Sequence, residues 1–399
     1  MLKPPSGEGA RVRFYSFDET TYPAIPRDIG PEVKQTNRFC DPAVAVQTYQ
    51  EHLEEWELCE ALGFDGAFVN EHHFTYFNIN PSSTVLATAL IARTKRLRVG
   101  VIGHVLPLRH PVQSAEEFAQ MDVLSNGRFI GGVVRGVPQE FVSYNIDPFT
   151  SRERFVESYD ILVRALREEI FDYEGQFYKL RAVSVWPRPV QQPIPIWMPA
   201  GSAETIEFAA ERHIPIARVW EPTLAFTDVF DYYKQIAKEQ FGWEPGPQHL
   251  IGARYVHVAE TTEKAIEECR EAVMYVRRLA TFSRPVQVSA PVPGVQTDRS
   301  FDFRKHPGAG MPGPGAPFEK LREDGFIVCG DPDYVADWLK KDAEAAGYGH
   351  FLGMFRMGSN SHANVMNSKR LFAEYVMPKL RALNPDAGSE LPAPAGAAG

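Results

Sequence analysis

Short apolar, β-branched runs alternate with amphipathic segments along almost the whole chain, and this alternation constrains the fold more than any other feature. The runs are RVRFYSF (Arg11 to Phe17), DGAFVNEH (Asp65 to His72), LRVGVIGHVL (Leu97 to Leu106), RFIGGVVRG (Arg128 to Gly136), IPIWMPAG (Ile194 to Gly201), PIARVW (Pro215 to Trp220), LIGARYVHVA (Leu250 to Ala259) and GHFLGMFRMG (Gly349 to Gly358). Helical periodicity fills the gaps: Ala43 to Leu62, Ser82 to Arg93, Val112 to Leu124, Arg152 to Glu169, Ala203 to Arg212, Asp228 to Phe241, Glu263 to Arg278, Pro332 to Ala346 and Ala363 to Arg381. Strands that are apolar on both faces must be covered on both faces, which describes a parallel sheet wrapped in helices. Eight of them predict an α/β chain closed into a (β/α)8 TIM barrel, one domain over residues 1–383.

Two stretches break the pattern. Phe171 to Val190 reads as a small hairpin excursion before the fifth strand. Leu279 to Gly325, placed before the last strand, is rich in Pro and Gly and has no helical period. A loop of that length in a compact domain is a lid, a disordered segment or a passive insertion, and its composition fits all three. Residues 384–399 (PDAGSELPAPAGAAG follows Asn384) read as a disordered tail.

The 399 residues carry a net charge of −9, from 42 basic and 51 acidic side chains, with no dense Lys/Arg run. Nucleic acid and anionic membrane are therefore poor partners. No run approaches the ~18 apolar residues of a membrane span and the N-terminus lacks a signal-like apolar core, so a cytoplasmic protein is expected. Cys40, Cys59, Cys269 and Cys329 are scattered without metal-type or disulfide spacing and read as ordinary thiols.

Barrel chemistry collects where strands end and loops begin, at the C-terminal rim. The stretch FVNEHHFTYFN places Glu71, His72 and His73 at the tip of the second strand; His104 lies near the end of the third and Arg135 closes the fourth. Neighbouring strand residues point to opposite faces, so one of His72 and His73 is expected to be functional and the other structural, unless the strand has already turned into loop. Convergence of His72, His73, His104 and Glu71 on a metal is disfavoured, because no His-x-His or His-x-x-x-His pair is present. PAGSAET (Pro199 to Thr205) puts small residues between a strand and a helix, which exposes backbone N–H groups to an anion, with Ser202 and Thr205 adding hydroxyls. Ser202 serving only as a helix cap is the plainer alternative. Arg135 on the neighbouring rim could complete a phosphate site, and a phosphate site beside an aromatic-rich mouth suggests a phosphorylated ring cofactor.

The run from EHHFTYFN through LPLRHPV and NGRFIGGVVRG, with PIWMPAGSAETIEFAAERHIPIARVW, FIVCGDPDYVADWLKKDAEAAGYGHFLGMFRMG and SKRLFAEYVMPKL, resembles the bacterial luciferase family of flavin-dependent monooxygenases. The resemblance spans roughly Arg11 to Leu383. It implies a luciferase-like barrel that receives reduced FMN (FMNH2) from a separate flavin reductase, captures O2 as a flavin C4a-peroxide and oxygenates a small or medium organic substrate. Position by position, His72 matches the catalytic histidine, with Glu71 beside it. Glu140 matches an acidic rim residue once one position is deleted. Arg135, Ser202 and Thr205 match phosphate contacts and Gly201 a backbone contact. Ile102 and Gly103 fall where a non-proline cis peptide lies under the flavin ring, and Trp220 matches a pocket aromatic. The resemblance also implies a homodimer built through the helices after the first three strands.

One departure narrows the reading. Val134 stands where light-emitting members carry a reactive cysteine, which argues against luminescence. Two alternatives stay open: an F420-dependent hydride-transfer oxidoreductase, and a non-catalytic flavin-binding relative. Phe74, Tyr76, Phe77, Phe141 and Tyr144 suggest an apolar pocket, yet such rings are as readily plain packing.

Overall fold

The computed structural model describes residues 12–26, 36–219, 221–282, 297, 299–306 and 315–381. Eight parallel strands form the barrel: β1 (Arg13–Phe17), β2 (Gly66–Val69), β3 (Arg98–Val101), β4 (Phe129–Val134), β5 (Ile196–Pro199), β6 (Ile216–Val219), β7 (Leu250–Val258) and β8 (His350–Met354). Each pairs with the next along the chain, and β8 returns to β1 with Phe351 opposite Phe14, which closes the ring. Closure leaves the eight-stranded ring itself without a free edge.

The barrel interior is filled. Phe68 stacks on Trp197 with ring centroids 4.8 Å apart, and Tyr15 meets Trp197 edge-on at 5.3 Å; all three are fully buried. A Cβ at position 100 would lie 2.1 Å from the Phe68 ring, so β3 needs its glycine there. With the lower barrel occupied by rings, the space left inside the barrel lies towards the C-terminal ends of the strands. Outside, a second apolar layer packs the helices on the strands, with Trp56, Phe118 and Phe355 among its buried members. Local signals start and stop those helices: Asp41 accepts from Ala43 N at 2.8 Å and Pro42 opens the first helix, while left-handed Asn126 ends the helix Pro111–Ser125.

The structure departs from the sequence expectation in four places. β2 ends at Val69, so Asn70 through His73 are already loop and strand alternation does not govern them. A further strand, Ile327–Gly330, pairs with the upper half of β7 outside the ring, Ile327 opposite Tyr255. The helix expected to start at Asp228 starts at Thr223. The stretch expected to lack helical period contains the end of one helix, Thr262–Phe282, and the short helix Phe318–Glu323. The remaining insertion positions 283–296, 298 and 307–314, and the tail 384–399, lie outside the described residues. The hairpin excursion is present as an antiparallel pair, Phe171–Glu174 with Lys179–Val183. No described helix is long and apolar enough to cross a membrane.

Candidate active site

A cavity of about 310 Å³ opens at the strand tips, and its polar lining falls into two groups. Glu19, Asn70, His72 and Glu140 form one; Arg135, Arg152 and Thr205 form the other. Between them the wall is apolar, with Phe17, Val134, Met198, Val219 and Leu352. The peptide between Ile102 and Gly103 is cis and lies on this wall. A Cβ at Gly103 would fall 2.3 Å from Val134 Cγ1, so side chain and backbone are in close contact there.

The two adjacent histidines have separate fates in this loop, which reverses just after them at Phe74 in the left-handed region (φ 57°). His73 is buried: Nε2 is 3.3 Å from Glu71 Oε1, and the Tyr144 hydroxyl is 3.1 Å from Nδ1. Both ring nitrogens are therefore committed. His72 faces the cavity at 29% exposure, its Nδ1 3.4 Å from Glu140 Oε1. Burial works against charging that ring, but Glu140, Glu19 and Glu71 outweigh it and raise the His72 pKa above the ordinary imidazole value.

Glu71 also reaches the cavity wall, yet its carboxylate is fully engaged. Oε2 accepts from Ser83 N (3.0 Å), Ser83 Oγ (2.8 Å) and Arg109 Nη2 (3.1 Å), and Oε1 accepts from Val105 N at 3.4 Å. Burial alone would raise its pKa; the His73 hydrogen bond, the Arg109 charge and the Ser83 N–H overcome burial and hold it well below the carboxylate range. Arg109 comes from the LPLRHPV turn, which thereby fixes the EHH loop. His104 is fully buried, donating to or accepting from Ser83 Oγ (3.3 Å) and Ser114 Oγ (2.9 Å), and burial lowers its pKa to about 4, so it is a neutral packing group. Glu140 is held differently: its oxygens accept from the backbone N–H of His73 (3.1 Å) and Val137 (3.0 Å) while Oε1 still faces His72.

At the other end, Arg135 follows β4 and Arg152 comes from the helix Ser151–Arg167. Burial, then the neighbouring Arg152 charge, lowers the Arg135 pKa to about 10. Two desolvated guanidiniums that repel each other create a place for an anion. Ser202 makes no side-chain cap on its helix; its Oγ meets Thr205 Oγ1 at 3.1 Å instead. Thr205 lines the cavity, whereas Ser202 and Gly201 stand behind the lining. A Cβ at Gly201 would meet Arg218 Nη1 at 2.2 Å, so this glycine makes room for Arg218, which donates to Ala200 O at 2.9 Å. The first helical N–H, on Ala203, donates to Ser300 O at 2.8 Å, and the Glu204 carboxylate accepts from Ser300 Oγ at 2.8 Å. A described piece of the insertion thus takes up part of the helix N-terminus that the sequence reading assigns to an anion. Arg135, Arg152 and Thr205 line the cavity beside that turn, and Arg152 Nη2 also lies 3.8 Å from Glu204 Oε2. These groups fit a terminal phosphate, and the apolar wall between the two ends fits a flat ring system.

Among the described residues, the one His/Cys/Asp/Glu group tight enough for a metal ion is Asp18, His52 and Glu55. Lys369 Nζ, 3.5 Å from Asp18 Oδ2, and Arg356, 2.5 Å from Glu55 Oε1, already neutralise both carboxylates. A dication there would add charge to a balanced cluster. Trp220 lies outside the described residues. Sequence reasoning missed Glu19, Asn70 and Arg152. The signal for Glu19 was present: a polar residue just past a strand tip, the criterion that selects His72 and Arg135, holds equally for FDETTY after β1.

A rim cavity lined by an imidazole and two arginines, above a filled barrel, defines an α/β barrel with a ligand site at the C-terminal ends of its strands. Residues 26–350 match the luciferase-like monooxygenase family, and the chain belongs to it. The chain is similar to the alkanal monooxygenase alpha chain of Photobacterium leiognathi, 27% identical over 349 residues that cover 84% of this chain and 95% of the relative. Its fold is shared by the oxygenating constituent of 3,6-diketocamphane monooxygenase from Pseudomonas putida, solved in complex with FMN (TM-score 0.69, 19% identity, 93% and 99% of the two chains). An F420-dependent secondary alcohol dehydrogenase, solved with an F420–acetone adduct, shares the fold too (TM-score 0.66, 14% identity, 93% and 99%).

Proposed function

We propose that this chain is the oxygenating component of a two-component monooxygenase that takes reduced FMN from a separate flavin reductase and transfers one oxygen atom of O2 to an apolar organic substrate. Bound in the rim cavity, reduced FMN would supply the two electrons that activate dioxygen. Arg135 and Arg152 would hold its phosphate, with Thr205 adding a hydroxyl and Ser202 supporting Thr205; Gly201 shapes the turn beneath them. Ile102, Gly103 and Val134 would floor the ring, and the apolar wall would exclude water from it. His72 would donate and recover the proton that oxygen transfer requires, with Glu140 fixing its ring through Nδ1. Glu71 orients the loop rather than reacting, because every bond it can accept is already made within the protein. A second cavity, walled by Tyr22, Ile25, Tyr76 and Ile79, shares His72 with the first and offers the substrate an apolar approach to the same imidazole. Assembly as a homodimer in the cytoplasm completes this reading.

The observation that carries the proposal is the pairing of a cavity-facing His72 with two desolvated arginines across one apolar wall. Anaerobic titration with reduced FMN, reduced riboflavin and reduced F420 tests it. Reduced FMN should bind tightest, and Arg135→Ala should weaken it by roughly 10- to 100-fold while leaving riboflavin unchanged, the cost of one charge-assisted phosphate contact. Tighter binding of F420 would move the chain to the hydride-transfer reading. Equal loss for FMN and riboflavin would remove the phosphate assignment. Screening substrates under 18O2 with a reductase then tests transfer of a single labelled atom to the product.

A further inference from the structure

His72 and Glu140 make an acid–base pair and Glu71 orients the loop, but the cavity has a third buried carboxyl group that the proposed mechanism leaves without a task. Glu19 follows β1, is 2% exposed and lines the cavity together with His72. A ladder of amides holds it. The Asn70 side-chain amide donates to Glu19 Oε2; Asn78 Nδ2 donates to Asn70 Oδ1 at 2.5 Å; Asn80 Nδ2 donates to the Asn70 carbonyl at 2.6 Å; and His72 N donates to the Asn80 carbonyl at 3.1 Å. Because Asn78 uses the Asn70 oxygen, the Asn70 NH2 group has to face Glu19, so the amide orientation is set by the ladder. The same three asparagines therefore fix both Glu19 and the backbone that carries the His72 ring. Glu140 is anchored instead by two backbone N–H groups, of Val137 and of His73, on the far side of the loop.

We propose that Glu19 is a positioning residue that shares one exchangeable proton with His72, so that the imidazole can be charged or neutral without changing the net charge of the cavity. A lone buried charge is costly and a buried ion pair is much less so. Glu19 ionises readily only when His72 carries the proton, and His72 stays charged more readily while Glu19 is ionised. The directions of both groups agree: burial, ahead of the opposing His72 charge and the Asn70 hydrogen bond, raises the Glu19 pKa, and the carboxylates raise that of His72. The groups acting on His72 are Glu140, Glu19 and Glu71, and those acting on or felt by Glu19 are His72, Asp18 and the buried Tyr255 of β7. The side chain that His72 touches is Glu140, so the exchange with Glu19 runs through solvent entering the cavity: the O–H bond of the Glu19 carboxyl breaks to a solvent molecule, which gives up a proton as an N–H bond forms on His72, and the reverse step restores it. No oxidant or reductant is involved. The role rests on His72 being the working imidazole of the proposed function.

Titrating the His72 ring by NMR in the flavin-free full chain separates the two ideas, since it needs neither cofactor nor substrate. The His72 midpoint should fall by about one unit in Glu19→Gln, the loss of one nearby opposite charge. It should fall by a smaller amount in Asn70→Leu, which keeps the carboxyl and removes its support. In turnover, the limb of the pH–kcat profile that reports His72 should move by the same amount in Glu19→Gln, which a merely structural residue would not produce. An unchanged His72 midpoint in both variants overturns the proton-sharing role while leaving the monooxygenase reading intact. A shifted midpoint with no turnover under any pH supports the coupling and strikes at the proposed function instead.

Discussion

Asp18 and Glu19 are consecutive and both buried, yet the chain sends them into opposite kinds of charge cluster. Asp18 turns behind the barrel, where Oδ1 accepts from Arg356 N at 2.6 Å and Oδ2 lies 3.5 Å from Lys369 Nζ. Lys369 also donates to Ser16 Oγ at 3.0 Å and to the Glu55 carbonyl at 3.2 Å, while Glu55 is met by Arg356 and, at 2.8 Å, by His362 Nδ1. Every charge there has a fixed opposite. Glu19 turns forward into the cavity, where its hydrogen-bond partner is a neutral amide and it shares the lining with a histidine that can gain or lose charge. The same residue chemistry thus makes a closed, inert cluster on one side of β1 and a proton-handling one on the other. Exposure to a cavity and a titratable partner make the difference, since burial is common to both.

The comparison is sharpest at His72. His72→Gln keeps a hydrogen-bonding group of similar reach but cannot carry the proton. Product formation should drop by about 10²- to 10⁴-fold, the usual contribution of a positioned acid–base group, with reduced-FMN binding changed no more than a few-fold. Rapid-mixing turnover beside a flavin titration reads both quantities. Retained turnover would place the working proton elsewhere and make the front cluster as inert as the rear one.

Lys369→Met breaks the rear cluster. It leaves Asp18 and Glu55 with one fewer cation in a fully buried setting, and truncating one partner of such a cluster costs about 3–5 kcal/mol. Urea unfolding measures the loss, while flavin binding by the surviving folded protein should be unchanged. A cost under about 1 kcal/mol would mean that the rear charges are solvated or rearrange freely.

How much of this was legible in the sequence follows from which forces are local. The eight strands were legible because two-faced apolarity is written in consecutive residues, and the cavity position of His72, Arg135 and Thr205 followed from their places at strand tips and in the helix turn beside them. The strand Ile327–Gly330 was not, because four apolar residues in IVCG carry no period of their own and become a strand only by pairing with an overlong β7. Arg152 is an unremarkable helix residue until the fold sets it beside Arg135. The Ala203 N–H looked available for an anion because its partner, Ser300, is 97 positions away along the chain. The engagement of Glu71 was not legible either, because its claimants, Ser83, Val105 and Arg109, arrive from two later segments. Local pattern locates the rim; tertiary contacts decide which rim groups remain free to act.

The smallest expected effect tests whether Asp18 really belongs to the closed cluster. Burial, only partly offset by Lys369, raises its pKa from 3.8 to about 6. Below pH 3.8 the carboxyl is protonated in folded and unfolded chains alike, and its preference for the folded state is fully present. As pH rises towards 6 the unfolded chain releases this proton first, so that stabilisation is lost and Asp18 makes the stability curve slope downward between about pH 4 and pH 6. Asp18→Asn deletes this slope and leaves the contributions of Glu55, Arg356 and Lys369 in place. The stability of the natural chain relative to Asp18→Asn should therefore fall by roughly 1–3 kcal/mol across that window, read by urea unfolding at intervals of half a pH unit. A constant difference would show that Asp18 titrates as an ordinary surface carboxylate, and the contrast between the two sides of β1 would then lie in geometry alone.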